Sequence, residues 1–401
     1  MSTLKTPPLW LLVLIVGLPQ LSETVYTPAL PDVARTLGIA HYLAEYTLTI
    51  YLFGFAIGTL FWGKLSDKYG RKPSLLAGLI IYIFGCIGCF YASSFQAFML
   101  CRFIQAFGGS TGSVLGQVIC RDAFTGAARG KVFSIIGSAL AFSPAIGPVL
   151  GGLVVQSYQW PAVFALLSIV GFTVILCTII QLPETYTPMP FSLKTIQKTA
   201  YAMLKDPQVL TAGFLVAACN GIIFSYFAEG PFYLITLLGL SPFLYGLSFI
   251  FFALAGMLGS YASKKAHDNN LSPYVIMQKG TAIVVCGAFI FVMGIMLFKA
   301  LAAHALYAII LTLVSMALIM GGIGVIIPNI LSIALEKYRA TLGTASSLFG
   351  FYYYCLISLF TLAMGLLHNH TLLPMPLFFM AIALTMTVAM AYISTTKKHT
   401  A

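Results

Sequence analysis

Charge is what this sequence has least of. Only 8% of its 401 residues are Asp, Glu, Lys or Arg, against roughly a quarter in an ordinary soluble domain. Too few charges remain to coat a water-facing surface, which excludes the ordinary soluble class. A single soluble core also stops growing near ~250–300 residues, so the apolar excess cannot be hidden inside one. Acid is scarcer still: 10 Asp and Glu stand against 21 Lys and Arg, a formal net charge of +11. In a soluble chain that balance points to nucleic acid. Here the cations sit in short gaps between apolar runs, which suits an anionic membrane surface and leaves no nucleic-acid partner.

Cysteine is also sparse, and its placement is uninformative. Cys86, Cys89, Cys101, Cys120, Cys177, Cys219, Cys286 and Cys355 lie mostly within apolar runs. Cys86 and Cys89 make a CxxC, but no second pair or histidine follows at zinc-ligand spacing. They read as small packing residues, so neither a disulfide framework nor a metal site is expected. His368 and His370, near the mouth of the last hairpin, are likewise not read as metal ligands. No phosphate loop or nucleophile elbow occurs in a fitting context. An ATP-driven pump and an enzyme are therefore not expected, and neither is a cofactor.

What the sequence has is apolar length. Hydrophobic residues make up 60% of it, and its mean hydropathy is +0.96. The first run follows Lys5, lacks a small-x-small cleavage pattern and continues through Glu23 to Pro31, so it reads as a retained helix. One bilayer crossing takes about 20 apolar residues. By that ruler spans fall near 9–33, 43–64, 73–93, 97–121, 131–156 and 160–182, then near 209–238, 243–263, 273–298, 304–328, 341–367 and 374–395. The prediction is an all-α polytopic membrane protein of about twelve transmembrane helices. It is divided into an N-terminal bundle (1–182), a polar linker (183–207) and a C-terminal bundle (208–401). Lys5, the basic loop at 64–72, Arg121 to Lys131, Lys194 to Lys205, Lys264, Lys265, Lys337, Arg339, Lys397 and Lys398 fall on one side of this plan. The positive-inside rule then places both termini and the linker in the cytoplasm of a bacterial inner membrane.

The halves share a pattern. GKLSDKYGRK at 63–72 has a counterpart, GSYASKKAHD, at 259–268, with Ser263 in the place of the acidic Asp67. Two such repeats around a midplane site are a common transporter plan. Three segments beside this one, RFIQAFGGSTGSVLGQVICRD at 102–122, AIGPVLGG at 145–152 and VYTPALP at 25–31, with weaker support from GLSPFLYG at 239–246, carry a resemblance. The chain resembles the major facilitator superfamily, and within it the drug:proton antiporters of the Bcr/CflA type.

The resemblance implies a major facilitator fold and a proton-coupled carrier working by alternating access. It implies a conformational latch of Gly63, Asp67, Gly70, Arg71, Arg121 and Asp122 between the second, fourth and eleventh helices. Physically, Asp67 is also suited to a neighbouring helix N-terminus, where the macrodipole favours a carboxylate. Gly147, Pro148, Gly151 and Gly152 match the family's antiporter packing signature; their small size permits close helix approach. Export by antiport follows from that signature. The alternative readings are a proton-coupled carrier, import or export, for a nutrient or siderophore and, from another class, a non-transporting membrane receptor.

Ionisable residues within apolar spans cost ~2.5–3.5 kcal/mol to insert, so they default to function. Glu23, Arg102 and Glu229 are the deep ones and are read as the proton-coupling set; Lys279 lies nearer a helix end. A carboxyl taken out of water favours its neutral form, so Glu23 can alternate between proton and cargo, with Arg102 as its partner. Tyr26, Tyr51, Phe55, Tyr226, Phe232 and Tyr353, with polar Gln105, Gln117, Asn220 and Asn329, are expected to line an amphipathic cavity for a small-molecule substrate. The expected partners are that substrate, protons and lipid, for a monomer.

Overall fold

The computed structural model describes residues 6–185, 193–301 and 304–398. Among them there are helices and no strands. Proline punctuates the first crossing. α1 (Leu9–Thr24) tolerates Pro19, but Pro28 and Pro31 open a 3-10 turn (Thr27–Ala29) and α2 (Leu30–Thr36). Each lacks an N–H and fixes φ near −65°, so the α ladder restarts instead of running through. The predicted span 9–33 is thus a broken one, and the break falls just after Glu23.

The rest of the first half is α3 (His41–Tyr69), α4 (Arg71–Tyr91), α5 (Phe95–Ala123), α6 (Gly126–Ser157) and α7 (Pro161–Gln181). α3 and α6 overrun their predicted spans by several residues, carrying the basic loop residues on helix ends. Between the halves lies α8 (Leu193–Leu204), an amphipathic helix inside what reads from composition as a polar linker. It buries Thr199 and Met203 and exposes Tyr201 and Leu204. Residues 186–192 of that linker lie outside the described residues, as does Lys5.

The second half comprises α9 (Pro207–Pro231), α10 (Pro242–Asp268), α11 (Pro273–Leu301), α12 (Ala305–Ala334), α13 (Leu342–Leu367) and α14 (Pro374–Lys398). α9 ends in a π turn, Phe232–Leu237, immediately after Pro231. Such a turn widens the helix where a proline has removed a ladder bond. Among the described residues, ten helical segments are long and apolar enough to cross a membrane. α5 and α6 are equally long, 29 and 32 residues, but are diluted by glycine, serine and charge.

The chain forms two compact units, Met1–Thr195 and Ile196–Ala401. In the first, the main helix pairs are α4 with α5, α3 with α5, α4 with α7 and α1 with α6. In the second they are α11 with α12, α10 with α12, α11 with α14 and α9 with α13. Each pair in one unit has its counterpart in the other, so the pattern shared by 63–72 and 259–268 reflects a repeated packing plan.

Candidate functional site

In the first unit the break after α1 is held by α6. Gly147, Pro148, Gly151 and Gly152 are all buried. A Cβ on Gly147 would run into the Thr24 hydroxyl, and one on Gly151 into the carbonyl of Val25. The helices therefore touch backbone to backbone, and the contact fixes the turn that carries Glu23 and Tyr26.

Glu23 is fully buried, and neither carboxyl oxygen has a hydrogen-bond partner among the described residues. Arg102, on α5, is fully buried too. One guanidinium nitrogen donates to Gln105 Oε1 at 2.5 Å, while Nε and the other terminal nitrogen have no partner. Aromatic faces take up the remainder. The guanidinium carbon lies 4.5 Å from the Tyr26 ring centroid, 4.3 Å from Tyr51 and 5.7 Å from Phe164. A desolvated contact of this kind is worth about 2 kcal/mol. The rings are fixed in turn: the Tyr26 and Thr47 hydroxyls are bonded at 2.7 Å, and Tyr51 donates to the Pro19 carbonyl at 3.4 Å. Gln105 Nε2 donates to Cys86 Sγ at 3.1 Å.

The structure thus gathers Glu23, Tyr26, Tyr51, Arg102 and Gln105 in one buried cluster of the first unit. It does not form the direct Glu23–Arg102 ion pair that sequence suggests: the guanidinium's single side-chain hydrogen bond goes to Gln105, and the Tyr26 and Tyr51 rings lie against it. Phe55 is buried on α3 and Gln117 half-buried on α5. Phe164 and Cys86 were not anticipated, and their apolar surroundings offer no signal in a single sequence. Glu45 was missed as well. It is fully buried in the second turn of α3, and its position inside an apolar run was the available clue.

At the far end of α3 the charged turn is a built network. Arg71 donates to Asp122 Oδ2 at 2.9 Å, to Asp67 Oδ1 at 2.5 Å and to Ser66 Oγ at 2.8 Å. Gly63 contributes its carbonyl to Ser66 at 2.8 Å. Arg121 makes no side-chain hydrogen bond among the described residues; its carbonyl accepts from Arg129. The helix N-terminus is met by Glu184, not Asp67. Its oxygens accept from the backbone N–H groups of Arg71 at 3.0 Å and Lys72 at 3.1 Å. Asp67 is drawn to the Arg71 side chain instead, which an N-terminal position at α4 would forbid. Gly70 makes the turn at φ 99°, and a Cβ there would meet Glu184 Oε2 at 2.8 Å.

The second unit repeats this corner without the ions. Asn329 donates to Ser263 Oγ at 2.7 Å and to the Val325 carbonyl at 2.7 Å, and its Oδ1 is 2.7 Å from His267 Nε2. Ser263 and His267 stand where Asp67 and Arg71 stand in the first repeat. Asn329, expected as cavity lining, is committed to this corner and only 3% exposed. Asn220 is half-buried and bonds its own helix, at the Val216 carbonyl, 2.9 Å away. Tyr226 is buried among Tyr245, Phe249 and Phe252. Half-buried Tyr353 packs on Phe349 and Tyr354. A cavity of about 670 Å³ between α11 and α14, lined by residues such as Thr281, Phe289 and Leu384, holds none of the predicted residues.

Glu229, near the end of α9, is bonded through Oε2 to His368 Nδ1 at 2.8 Å, both side chains being 2% exposed. Phe232 is buried with its edge on the His368 ring, centroids 5.8 Å apart.

A two-unit bundle of repeated helices with buried charges in its spans is the plan of a multi-pass membrane transporter. The chain belongs to the major facilitator superfamily: the sequence profile described as Major Facilitator Superfamily matches residues 12–361. An uncharacterized transporter of Rickettsia felis is 33% identical over 93% of this chain and 92% of its own length. A bicyclomycin resistance protein homolog of Haemophilus influenzae is 26% identical over 83% and 82%. That likeness accords with the Bcr/CflA-type motifs. Among solved structures, a D-xylose–proton symporter superposes with a TM-score of 0.76, covering 94% of this chain and 96% of its own at 15% identity. At that identity the likeness is one of fold.

Proposed function

We propose that this transporter exports small molecules from the cytoplasm in exchange for protons, by alternating access between its two six-helix halves. One observation carries the reading: Glu23 and Arg102 are fully buried in one cluster, with both carboxyl oxygens and two guanidinium nitrogens unbonded. An unmet buried polar group costs about 1–3 kcal/mol, and more when charged. Such a cost is retained where another state of the working cycle uses the group. In that state water and cargo reach Glu23; a proton on the carboxyl and a cationic or hydrogen-bonding cargo beside it are then alternatives. Tyr26, Tyr51 and Gln105 supply ring surface and polar contact for cargo of varied shape.

The Arg71–Asp67–Asp122 network serves as the latch of one state, with the termini on its side of the membrane. The resistance named for the Haemophilus influenzae relative supports export of drug-like molecules. The test uses everted vesicles containing the protein, with an acidified lumen. Bicyclomycin, ethidium, tetraphenylphosphonium and citrate are added in turn. At least one should release luminal protons, and Glu23→Gln should abolish that release while leaving counterflow of the same compound. Proton release of normal size from Glu23→Gln removes the residue from the mechanism. Cargo accumulation in intact cells driven by an inward proton gradient overturns export.

A further inference from the structure

The second unit contains a hydrogen-bonded line from its surface to a buried carboxyl. His368 follows the last residue of α13, and its ring is turned inward onto α9, Nδ1 being 2.8 Å from Glu229 Oε2. Its other nitrogen, Nε2, lies 3.4 Å from His370 Nδ1. His370 is exposed, and its backbone is left-handed at φ 58°. That conformation turns the chain back on itself and sets the two rings 4.7 Å apart, edge to face. Phe232 braces His368 from the side. Tyr233, next along the chain, is a further titratable side chain close to Glu229. The order is surface, imidazole, imidazole, carboxyl, and each neighbour offers a nitrogen or oxygen to the next.

We propose that His370 and His368 form a proton relay that loads Glu229 from the surface of the second unit. The inference rests on the proton-coupled reading above and adds the route by which protons enter this half. Imidazole suits the task because one ring nitrogen can accept as the other donates. At the start His370 and His368 each carry a proton on Nδ1, and Glu229 is ionised. A proton from water binds His370 Nε2. His370 then passes its Nδ1 proton to His368 Nε2, and His368 passes its Nδ1 proton to Glu229 Oε2. One proton has entered, the carboxylate has become neutral, and both imidazoles end neutral with the proton on Nε2. Return of each ring to the Nδ1 form resets the line.

The assay needs no cargo. Purified full-length protein in lipid nanodiscs receives a proton pulse from a photolysed caged acid, and the rise of the carboxylic acid C=O band is followed by infrared spectroscopy. Glu229→Gln identifies the band by removing it. His370→Asn is the mild variant, since asparagine tolerates the left-handed backbone. It should slow the rise about tenfold or more, with the same final amplitude, because positioned acid–base groups contribute that much or more. Imidazole added to the buffer should restore the rate, which a structural defect would not allow. His368→Gln, which keeps a hydrogen bond to Glu229 but cannot relay, should be slow and resist rescue. A normal rate in both histidine variants overturns the relay, as does a band that survives Glu229→Gln. Loss of proton-coupled export with an intact relay would count against the function and not against this route.

Discussion

Glu184 is the residue whose removal should reveal how the charged turn is held together. Its carboxylate stands at the start of α4 and accepts from two backbone N–H groups, Arg71 at 3.0 Å and Lys72 at 3.1 Å. These donors have no partner within the helix. A capping bond is worth about 1 kcal/mol, and two together about 2. Favourable placement at the positive end of the helix adds about 0.3–1 kcal/mol. Because Glu184 is exposed, water recovers part of this, and Glu184→Ala should cost about 1–2 kcal/mol. For a cooperative unit of this size each kcal/mol shifts the melting temperature by about 2–4 °C, so a fall of about 2–8 °C is expected. Glu184→Gln keeps one acceptor oxygen and loses the charge, so it should fall between. The assay is size-exclusion chromatography of detergent-solubilised protein after heating. A freed α4 start also loosens Arg71 from Asp122, so transport should drop while total protein is unchanged. A melting temperature for Glu184→Ala within about 1 °C of the parent would refute the reasoning, because among the described residues no other side chain accepts from those two N–H groups.

Removing Glu23 and removing Arg102 should not be symmetric. A lone buried carboxylate can take up a proton, whereas a guanidinium cannot shed one, so Glu23→Gln should destabilise more than Arg102→Gln. The double variant should recover part of the loss in a thermal shift experiment. Gly151→Val should cost about 1–3 kcal/mol or more through the collision with the Val25 carbonyl, read as reduced monodisperse protein. Gly17→Ala, with open space around it, should be neutral or slightly stabilising. Asn329→Ala should cost about 1–3 kcal/mol by stranding Ser263 and His267 without changing which compounds are transported. A changed cargo profile at full stability would restore Asn329 to the cavity.

The spans were legible because hydropathy is a property of consecutive residues; the break after Glu23 was not, because a hydropathy ruler runs straight over Pro28 and Pro31. The charged turn was legible for a similar reason: Asp67 and Arg71 are one helical turn apart and sit in a recognisable motif. Glu184 was not legible as a cap, since 113 positions separate it from Arg71 and only folding α7 beside α4 brings them together. Asn329 was misread because a polar residue in an apolar helix looks the same whether it faces cargo or a neighbouring helix. The direct Glu23–Arg102 pair is absent, and the guanidinium's one hydrogen bond goes instead to Gln105, one turn along the same helix. α8 escaped notice because its lysines dilute the hydropathy of an otherwise ordinary amphipathic pattern.

The two corresponding corners are joined by different forces. The one around Arg71 is ionic, and dissolved electrolyte weakens it where it meets water. The one around Asn329 is built of hydrogen bonds from a carboxamide to a hydroxyl, a carbonyl and an imidazole, with no carboxylate or guanidinium among them, and depends less on such shielding. Raising the salt concentration should therefore ease one half of the protein and spare the other. An ancestral symmetry has become a pair of fasteners that answer to separate keys.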